Sequence, residues 1–218
     1  MELLKSALFS VTLGSNDFIN NYLLPFVAKP SKPEQILVPP EKFVKAMISR
    51  YKIQLTRLYK MGARKIIIVN VGPIGCIPYL KELIQSGADG CAAYPNQLAQ
   101  LFNDKLRILV PELRSSLNGS EFVYADVYRT VYDLVQNYTS YGFQNSSFAC
   151  CYVSGNFGGL FPCNPTSKVC TDRSKFVFWD PYHPTEAANL IIAKRMLDGG
   201  PNDIWPKNIR QLISKSSS

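Results

Sequence analysis

The segment KIIIVNVG, residues 65–72, constrains the fold more than any other part of this sequence. It is a nearly continuous run of β-branched residues, whereas a strand with one solvated face alternates apolar and polar residues. Such a run is typical of a parallel strand that helices cover on both faces. The segments ALFSVTLG (residues 7–14) and FVYADV (residues 122–127) are also predicted to be strands. Together these segments predict a parallel sheet with helices packed against it.

Helical segments separate the predicted strands. Apolar residues recur at helical spacing in three segments, which are residues 41–61, 94–117 and 127–136. A last helix is expected to begin at Pro184, which suits the first helical position, and to end at Gly199. The alternation of strands and helices predicts a single α/β domain. Residues 138–174, which are rich in cysteine, are expected to form a loop insertion within that domain.

Length, composition and charge exclude several classes of protein. The chain has 218 residues, of which 46% are hydrophobic and 18% charged, as in an ordinary globular domain. No apolar run reaches the roughly 18 residues that a transmembrane helix needs. The net charge is +8, but the Lys and Arg residues are scattered and no nucleic-acid-binding motif accompanies them. We therefore expect neither a transmembrane segment nor a nucleic-acid partner.

The cysteines favour disulfide bonds. The six are Cys76, Cys91, Cys150, Cys151, Cys163 and Cys170. Zinc is the competing interpretation, but the later cysteines lack the short paired spacings that zinc sites favour. Three N-glycosylation sequons accompany them, at Asn118, Asn137 and Asn145. Cysteines and sequons together indicate an oxidising, secretory environment.

The first residues of the chain conflict with that environment. Residues 1–30 do not resemble a signal peptide, because the short apolar stretch runs into Gly, Asn and Asp without a small-residue cleavage site. Two expectations are open: the protein is not secreted, or the full-length protein is extracellular and this chain lacks its beginning.

Candidate functional residues follow the predicted strands. In parallel α/β sheets, sites form beyond the carboxyl ends of the strands. The polar segments expected there are LGSNDF (residues 13–18), NVGPIGCIP (residues 70–78) and DPYHP (residues 180–184). Asp180 is placed to hydrogen-bond one ring nitrogen of His183, the only histidine, and so to leave the other nitrogen free as a base. A helix-capping histidine beside a surface aspartate fits the same pattern, and Asn16 alone is ordinary turn chemistry.

The order of these three segments closely resembles that of the plant GDSL-type esterase/lipase family, within the SGNH hydrolases. The resemblance extends over residues 6–213, and it includes the adjacent Cys150 and Cys151 and the tail PNDIWPKNIRQL. It implies a flavodoxin-like, three-layer α/β/α sandwich with a parallel sheet.

The resemblance also implies roles for individual residues. Asp180 and His183 match two members of the family's catalytic triad. Asn16 matches the asparagine whose side chain donates to the oxyanion, and Gly14 matches the glycine that shapes the turn. The mechanism that the family uses needs no metal or organic cofactor.

One family feature is absent. The nucleophile of the family is the serine of a Gly-Asp-Ser block, and this sequence contains no such block. We therefore expect residues 1–218 to be a single partial domain that is missing its first strands and, with them, the serine. Residues 7–13 are then expected to be an exposed edge strand, which invites self-association or a partner strand.

The function that the resemblance implies is hydrolysis of acyl or acetyl esters, in lipids, cuticle or wall polysaccharide. The Ser-His-Asp triad would carry it, and this chain holds only the Asp and the His. The alternative is a catalytically inactive form that binds a lipid, a glycan or another chain. A Cys–His nucleophile is a third possibility, although disulfides better explain the clustered cysteines. We expect Cys76 to pair with Cys91, and the four later cysteines to pair among themselves.

Overall fold

A computed structural model of the chain describes residues 2–24, 38–84, 86–87 and 90–214. Its strands are β1 (Leu8–Thr12), β2 (Lys65–Val69), β3 (Glu121–Ala125), β4 (Asn145–Ala149), β5 (Cys151–Tyr152), β6 (Lys168–Val169), β7 (Phe176–Phe178) and β8 (Ile204–Trp205). Its α-helices are α1 (Glu2–Ser6), α2 (Pro40–Lys60), α3 (Pro78–Leu83), α4 (Ala93–Ser116), α5 (Val127–Gln136), α6 (Glu186–Asp198) and α7 (Ile209–Ile213). A π-helix spans Asp17–Leu23, and 3-10 turns lie at Ile74–Cys76, Tyr138–Tyr141 and Arg173–Lys175.

The central sheet has the strand order β1-β2-β3-β8. The first three strands are parallel and in register, so that Leu8 pairs with Lys65 and Lys65 pairs with Glu121. The fourth strand, β8, is antiparallel to β3. The predicted parallel sheet is therefore confirmed. Among the described residues β1 pairs with β2 alone, so its other side is an open edge.

Helices cover both faces of this sheet and give the expected α/β/α arrangement. On one face, Ile66, Ile68 and Phe122 belong to a large core to which α2 and α4 contribute most of the helical side chains. On the other face, Ile67 and Val123 belong to a much smaller cluster, which α6, β8 and α7 complete. This double burial explains why the sequence of β2 is apolar without alternation. No helix within the described ranges is both long and apolar enough to cross a membrane.

The cysteine-rich region, residues 138–174, contains more regular structure than a simple loop. Its strand β4 pairs in parallel with β7, and its strands β5 and β6 form an antiparallel pair. Disulfides join Cys76 to Cys91, Cys150 to Cys170 and Cys151 to Cys163. The first bond closes the loop that precedes α4. The other two join the four later cysteines to one another, which is the pairing expected from the sequence.

The start of the last long helix differs from the expectation. The helix α6 begins at Glu186, two residues after Pro184. Thr185 is its N-cap, because the Thr185 hydroxyl accepts a hydrogen bond from the backbone N–H of Ala188 (3.2 Å). A side chain that can accept this bond outweighs the preference of proline for the first helical position. The expected end at Gly199 is confirmed, since Gly199 is the C-cap.

Candidate active site

Three polar segments meet at one cleft of about 860 Å³. The turn after β1 contributes Gly14 and Asn16, and the loop after β2 contributes Asn70 and Gly72. The segment after β7 contributes His183. The cleft therefore collects residues from all three motifs that the sequence places after strands, as parallel α/β topology favours.

Asp180 and His183 form a tightly defined pair. The Nδ1 atom of His183 lies 2.9 Å and 3.0 Å from the two carboxylate oxygens of Asp180. Asp180 Oδ1 also accepts hydrogen bonds from the backbone N–H groups of Tyr182 (2.8 Å) and His183 (2.7 Å). The Asp180 side chain is 16% exposed, whereas the His183 side chain is 72% exposed. The carboxylate is thus fixed by the turn, and the ring reaches from it towards solvent.

The orientation of the ring leaves one nitrogen available. Asp180 engages Nδ1 of His183, and no group among the described residues hydrogen-bonds to Nε2. A neutral imidazole whose Nδ1–H donates to a carboxylate presents Nε2 as an acceptor, which is the tautomer that a general base needs.

Backbone hydrogen bonds and ring packing stabilise the turn that carries Asp180 and His183. The N–H of Trp179 donates to the carbonyl of His183 (2.8 Å), which closes the turn on itself. The N–H of Tyr79, in α3, donates to the carbonyl of Pro181 (3.0 Å). The rings of Tyr79 and Tyr182 pack with centroids 4.9 Å apart. Burial raises the pKa of Tyr182, and the neighbouring Tyr79 and Asp180 add to that shift, so its hydroxyl stays protonated near neutral pH.

Asn16 lines the same cleft. It precedes the π-helix Asp17–Leu23, yet its side chain makes no capping hydrogen bond to that helix. Gly14 forms the turn, with a φ of +119° that residues with a Cβ rarely adopt. A Cβ on Gly14 would lie 2.8 Å from a methyl carbon of Val71, so glycine is required for space as well as for conformation. The turn therefore exposes the Asn16 amide in the cleft.

Two buried asparagines on α4 hold the loop after β2. Asn103 accepts from the N–H of Val71 (2.9 Å) and donates to the carbonyl of Val71 (2.8 Å). Asn96 accepts from the N–H of Gly75 (2.8 Å). Both side chains are buried on the apolar side of α4. Polar residues seven positions apart within an apolar helical stripe were the signal for this role in the sequence, and the sequence interpretation missed it.

The cysteines do not join the cleft as reactive groups. All six are paired in disulfides, and no free cysteine remains. The possibility of a Cys–His nucleophile is therefore wrong for this structure, because no thiol is available to His183. The zinc interpretation fails for the same reason, since zinc binds the thiolate and not the disulfide.

No hydroxyl among the described residues hydrogen-bonds to the ring of His183. Ser10 and Ser15 line the same cleft, but neither hydroxyl is hydrogen-bonded to the His183 ring within the described ranges. The sequence contains no Gly-Asp-Ser block. The cleft is thus lined by the ring of His183, which Asp180 orients, and by the exposed side chain of Asn16.

Comparisons with known proteins show which family the chain resembles. A model of the GDSL-like Lipase/Acylhydrolase family matches residues 3–196. GDSL esterase/lipase At4g16230 of Arabidopsis thaliana is 57% identical over 213 residues, which are 98% of this chain and 57% of that protein.

Two further Arabidopsis thaliana proteins match over almost the whole chain. GDSL esterase/lipase At3g50400 is 51% identical over 209 residues, which are 95% of this chain and 55% of that protein. GDSL esterase/lipase At2g23540 is 47% identical over 208 residues, which are 95% of this chain and 53% of that protein. The chain therefore spans about half the length of the curated relatives it matches.

Proposed function

The chain belongs to the GDSL-like lipase/acylhydrolase family, and we propose that the protein it comes from hydrolyses acyl or acetyl esters through a Ser-His-Asp triad. The observation that carries this proposal is the Asp180–His183 pair, in which both carboxylate oxygens lie within 3.0 Å of Nδ1. The free Nε2 and the exposed amide of Asn16 line the same cleft. This chain supplies two of the three triad residues.

In the proposed mechanism His183 is the general base. Its Nε2 takes the proton of a serine hydroxyl while the serine oxygen attacks the ester carbonyl carbon. Asp180 holds the ring in the required tautomer and stabilises the imidazolium that forms. The same proton then passes from Nε2 to the alcohol leaving group, and a water molecule repeats the sequence to release the acid.

Asn16 is proposed to stabilise the oxyanion. Its side-chain N–H would donate to the negative charge that develops on the carbonyl oxygen, where a preorganised donor has its largest effect. The fixed turn at Gly14 supports this role, because it limits where the Asn16 backbone can lie.

The serine is proposed to come from a segment outside residues 1–218. The open edge of β1 is the surface on which a further parallel strand would add to the sheet. A strand added there would end beside Gly14 and Asn16, at the edge of the sheet where the cleft lies. Residues 1–218 are accordingly proposed to be one partial domain, with residues 138–174 as its disulfide-bonded insertion.

The test compares the chain with a longer protein. Residues 1–218 alone are expected to hydrolyse p-nitrophenyl butyrate no faster than a blank, whereas the longer protein with its preceding segment is expected to turn over. His183→Ala in the longer protein is expected to lower kcat by ~10⁴-fold or more. Turnover by residues 1–218 that survives His183→Ala would overturn the proposed base.

The same edge also supports the alternative that this chain acts by binding another chain. Leu8, at the start of β1, and Leu13, the residue after its end, are among the exposed large apolar side chains. An open apolar edge pairs readily with a second strand, so residues 1–218 alone are expected to self-associate. Sedimentation velocity checks this expectation, with Val11→Pro as the edge-blocking variant. A monomer at all concentrations contradicts it.

Secretion and glycosylation are proposed from the disulfides and the sequons. Asn118 is exposed and precedes Gly119 in a turn, whereas the Asn137 amide donates to Asp133 (2.7 Å). The carbonyl of the half-buried Asn145 side chain accepts from the N–H groups of Ser147 and Phe148. Asn118 is therefore the site proposed to carry a glycan most fully. Glycopeptide mass spectrometry of protein from a eukaryotic secretion host tests this order.

A further inference from the structure

Exposed apolar side chains cluster on the disulfide-bonded insertion. Four of them lie within residues 153–169, and we call them the apolar tip: Val153, Leu160, Phe161 and Val169. Phe161 is 55% exposed and Val169 is 56% exposed. Isolated exposed apolar residues are common, but several within one short region mark an interaction surface.

Covalent and backbone bonds bring these residues together. The strand pair β5–β6 sets Cys151 opposite Val169. The disulfide between Cys151 and Cys163 anchors the chain two residues beyond Phe161 to the same strand pair. The second disulfide, between Cys150 and Cys170, fixes the next residue on each strand. The strand pair and the disulfides therefore hold the apolar tip in place, so the loop does not simply fold back and bury these side chains.

A carboxylate on α3 fixes the segment just before the tip. Glu82 accepts hydrogen bonds from the backbone N–H groups of Asn156 (3.0 Å), Phe157 and Gly159 (3.2 Å). The backbone from 156 to 159 is thus tied to α3 immediately before Leu160. The tip projects from a rigid base.

The tip lies beside the cleft. A Cβ on Gly159 would lie 2.4 Å from the carbonyl carbon of Pro78, so the segment passes directly against Pro78. Ile77, the preceding residue, lines the cleft that contains His183. On the other side of the insertion, the N–H of Cys151 donates to the carbonyl of Trp179 (2.6 Å), one residue before Asp180. The insertion is therefore joined to two segments next to the cleft, one before α3 and one before Asp180.

The segment that carries the tip has a positive net charge. Residues 150–175 contain Lys168, Arg173 and Lys175 but only one acidic residue, Asp172. The whole chain carries a net charge of +8. Apolar side chains next to basic ones are the combination that holds a protein at the surface of an anionic bilayer.

We propose that the apolar tip docks onto an anionic lipid surface, with its apolar side chains entering the interface and Lys168, Arg173 and Lys175 facing the headgroups. The docked insertion holds the cleft of His183 at the lipid surface. The proposal rests on the proposed ester hydrolysis for its purpose, but lipid binding itself does not require hydrolysis.

The test measures cosedimentation of residues 1–218, with all disulfides formed, with vesicles. Vesicles of phosphatidylcholine with phosphatidylglycerol are compared with vesicles of phosphatidylcholine alone. Binding is expected to be at least about tenfold stronger to the anionic vesicles, because several basic residues face the surface. Leu160→Ser combined with Phe161→Ser is expected to weaken binding by about tenfold, since both apolar side chains leave the interface. Lys168→Glu is expected to weaken binding by at least about fivefold.

The control is Ile108→Ser, which removes an exposed apolar side chain from the outer side of α4. It is expected to leave vesicle binding unchanged. Disulfide mapping and circular dichroism of each variant confirm that the fold is retained. Equal binding to both kinds of vesicle, absence of binding, or equal loss with Ile108→Ser and with the tip variant would overturn the proposal.

A second measurement separates this proposal from the proposed hydrolysis. In the longer protein, the tip variant is expected to keep its activity on soluble p-nitrophenyl butyrate and to lose vesicle binding. His183→Ala is expected to lose the activity and to keep vesicle binding. Loss of activity on the soluble ester in the tip variant would show that the insertion shapes the cleft, and would overturn a role limited to docking.

Discussion

The two sides of the cleft are held in place by different means. Asp180 and His183 lie in a turn that closes through their own side chains and backbone, and α3 braces that turn through Tyr79. Asn16 follows an edge strand, and the turn at Gly14 passes so close to Val71 that a Cβ would not fit between them. One side is therefore determined locally, whereas the other depends on how β1 packs in the sheet. The difference predicts which substitutions act on chemistry and which act on stability.

Besides His183→Ala, the largest loss of activity is expected from Asp180→Asn in the longer protein. The amide does not stabilise an imidazolium and favours the wrong ring tautomer, so kcat is expected to fall by ~10⁴-fold. Steady-state hydrolysis of p-nitrophenyl butyrate measures this loss. Asp198→Asn, which removes a surface carboxylate paired with Arg210, is the matched control and should keep full activity. A loss below about tenfold for Asp180→Asn would contradict the role of the pair.

A smaller loss of activity is expected on the other side of the cleft. Asn16→Ala removes one oxyanion donor, and kcat is expected to fall by ~10²- to 10³-fold with little change in KM. Asn20→Ala is the control, because Asn20 lines the same cleft one helical turn further along. Comparable losses in the two variants would mean that the amide of Asn16 has no special role.

Stability should respond most strongly at the turn after β1. Gly14→Ala introduces a Cβ at positive φ and against Val71, so the free energy of unfolding is expected to fall by about 2–3 kcal/mol. Gly119→Ala also has positive φ but meets nothing within 4 Å, so it is expected to lose only about 1 kcal/mol. Urea unfolding of residues 1–218 measures both. Equal losses would show that packing against Val71 does not restrain the turn.

A somewhat smaller loss of stability is expected from a substitution at Thr185, which follows the turn of His183. Thr185 is buried, and its hydroxyl caps α6 and donates to the carbonyl of Phe176 (2.7 Å). Thr185→Ala is expected to lower the free energy of unfolding by about 1–2 kcal/mol. Thr56→Ala, on the exposed side of α2, is the control and should cost much less. If urea titrations give the same value for both, the cap does not anchor the turn.

The smallest effect concerns the ion pair between Asp133 of α5 and Arg195 of α6. Burial alone would raise the pKa of Asp133, but hydrogen bonds from Tyr141, Arg195 and Asn137 outweigh burial and lower that pKa. A carboxyl with a lowered folded-state pKa contributes stability above its unfolded pKa of about 4 and loses it as pH falls through the folded value. The stability difference between the protein and Asp133→Asn is therefore expected to be below about 1 kcal/mol at pH 7 and to shrink towards pH 3.

Thermal unfolding across that pH range tests the Asp133 prediction. Tyr141→Phe removes one hydrogen-bond donor to Asp133. In that variant, the stability difference caused by Asp133→Asn is expected to change less with pH. A stability difference that stays constant from pH 7 to pH 3 would contradict the assigned cause.

The sequence predicted well what depends on short-range pattern. The strands β1, β2 and β3 were predicted within three residues of their observed ends, and α2, α4 and α5 within one residue, because apolar spacing determines them. The contact of Asp180 with His183 was also predictable, since a three-residue turn brings the two together. Strand pairing between distant segments was not predictable. The strand β4 pairs with β7, yet neither sequence has a pattern that indicates the other strand as its partner.

The contacts of the two asparagines of α4 were not predictable for the same reason. Asn96 and Asn103 bind backbone groups 21 and 32 residues away, and no local motif records those contacts. Thr185 was overlooked for another reason, because Pro184 satisfied a helix-start rule that the hydroxyl of its neighbour overrides.

The hydrogen bonds from Asn96 and Asn103 of α4 to the loop after β2 have a consequence for how the sequence of that loop can vary within the family. Both backbone groups of Val71 and the N–H of Gly75 are bonded by side chains of Asn103 and Asn96, so the path of the loop is encoded in the helix. Side chains of the loop that face the cleft are then free to change under selection without moving its backbone. Deep mutational scanning should find the cleft-facing positions 72 and 73 permissive, and Asn96 and Asn103 intolerant although they touch no substrate.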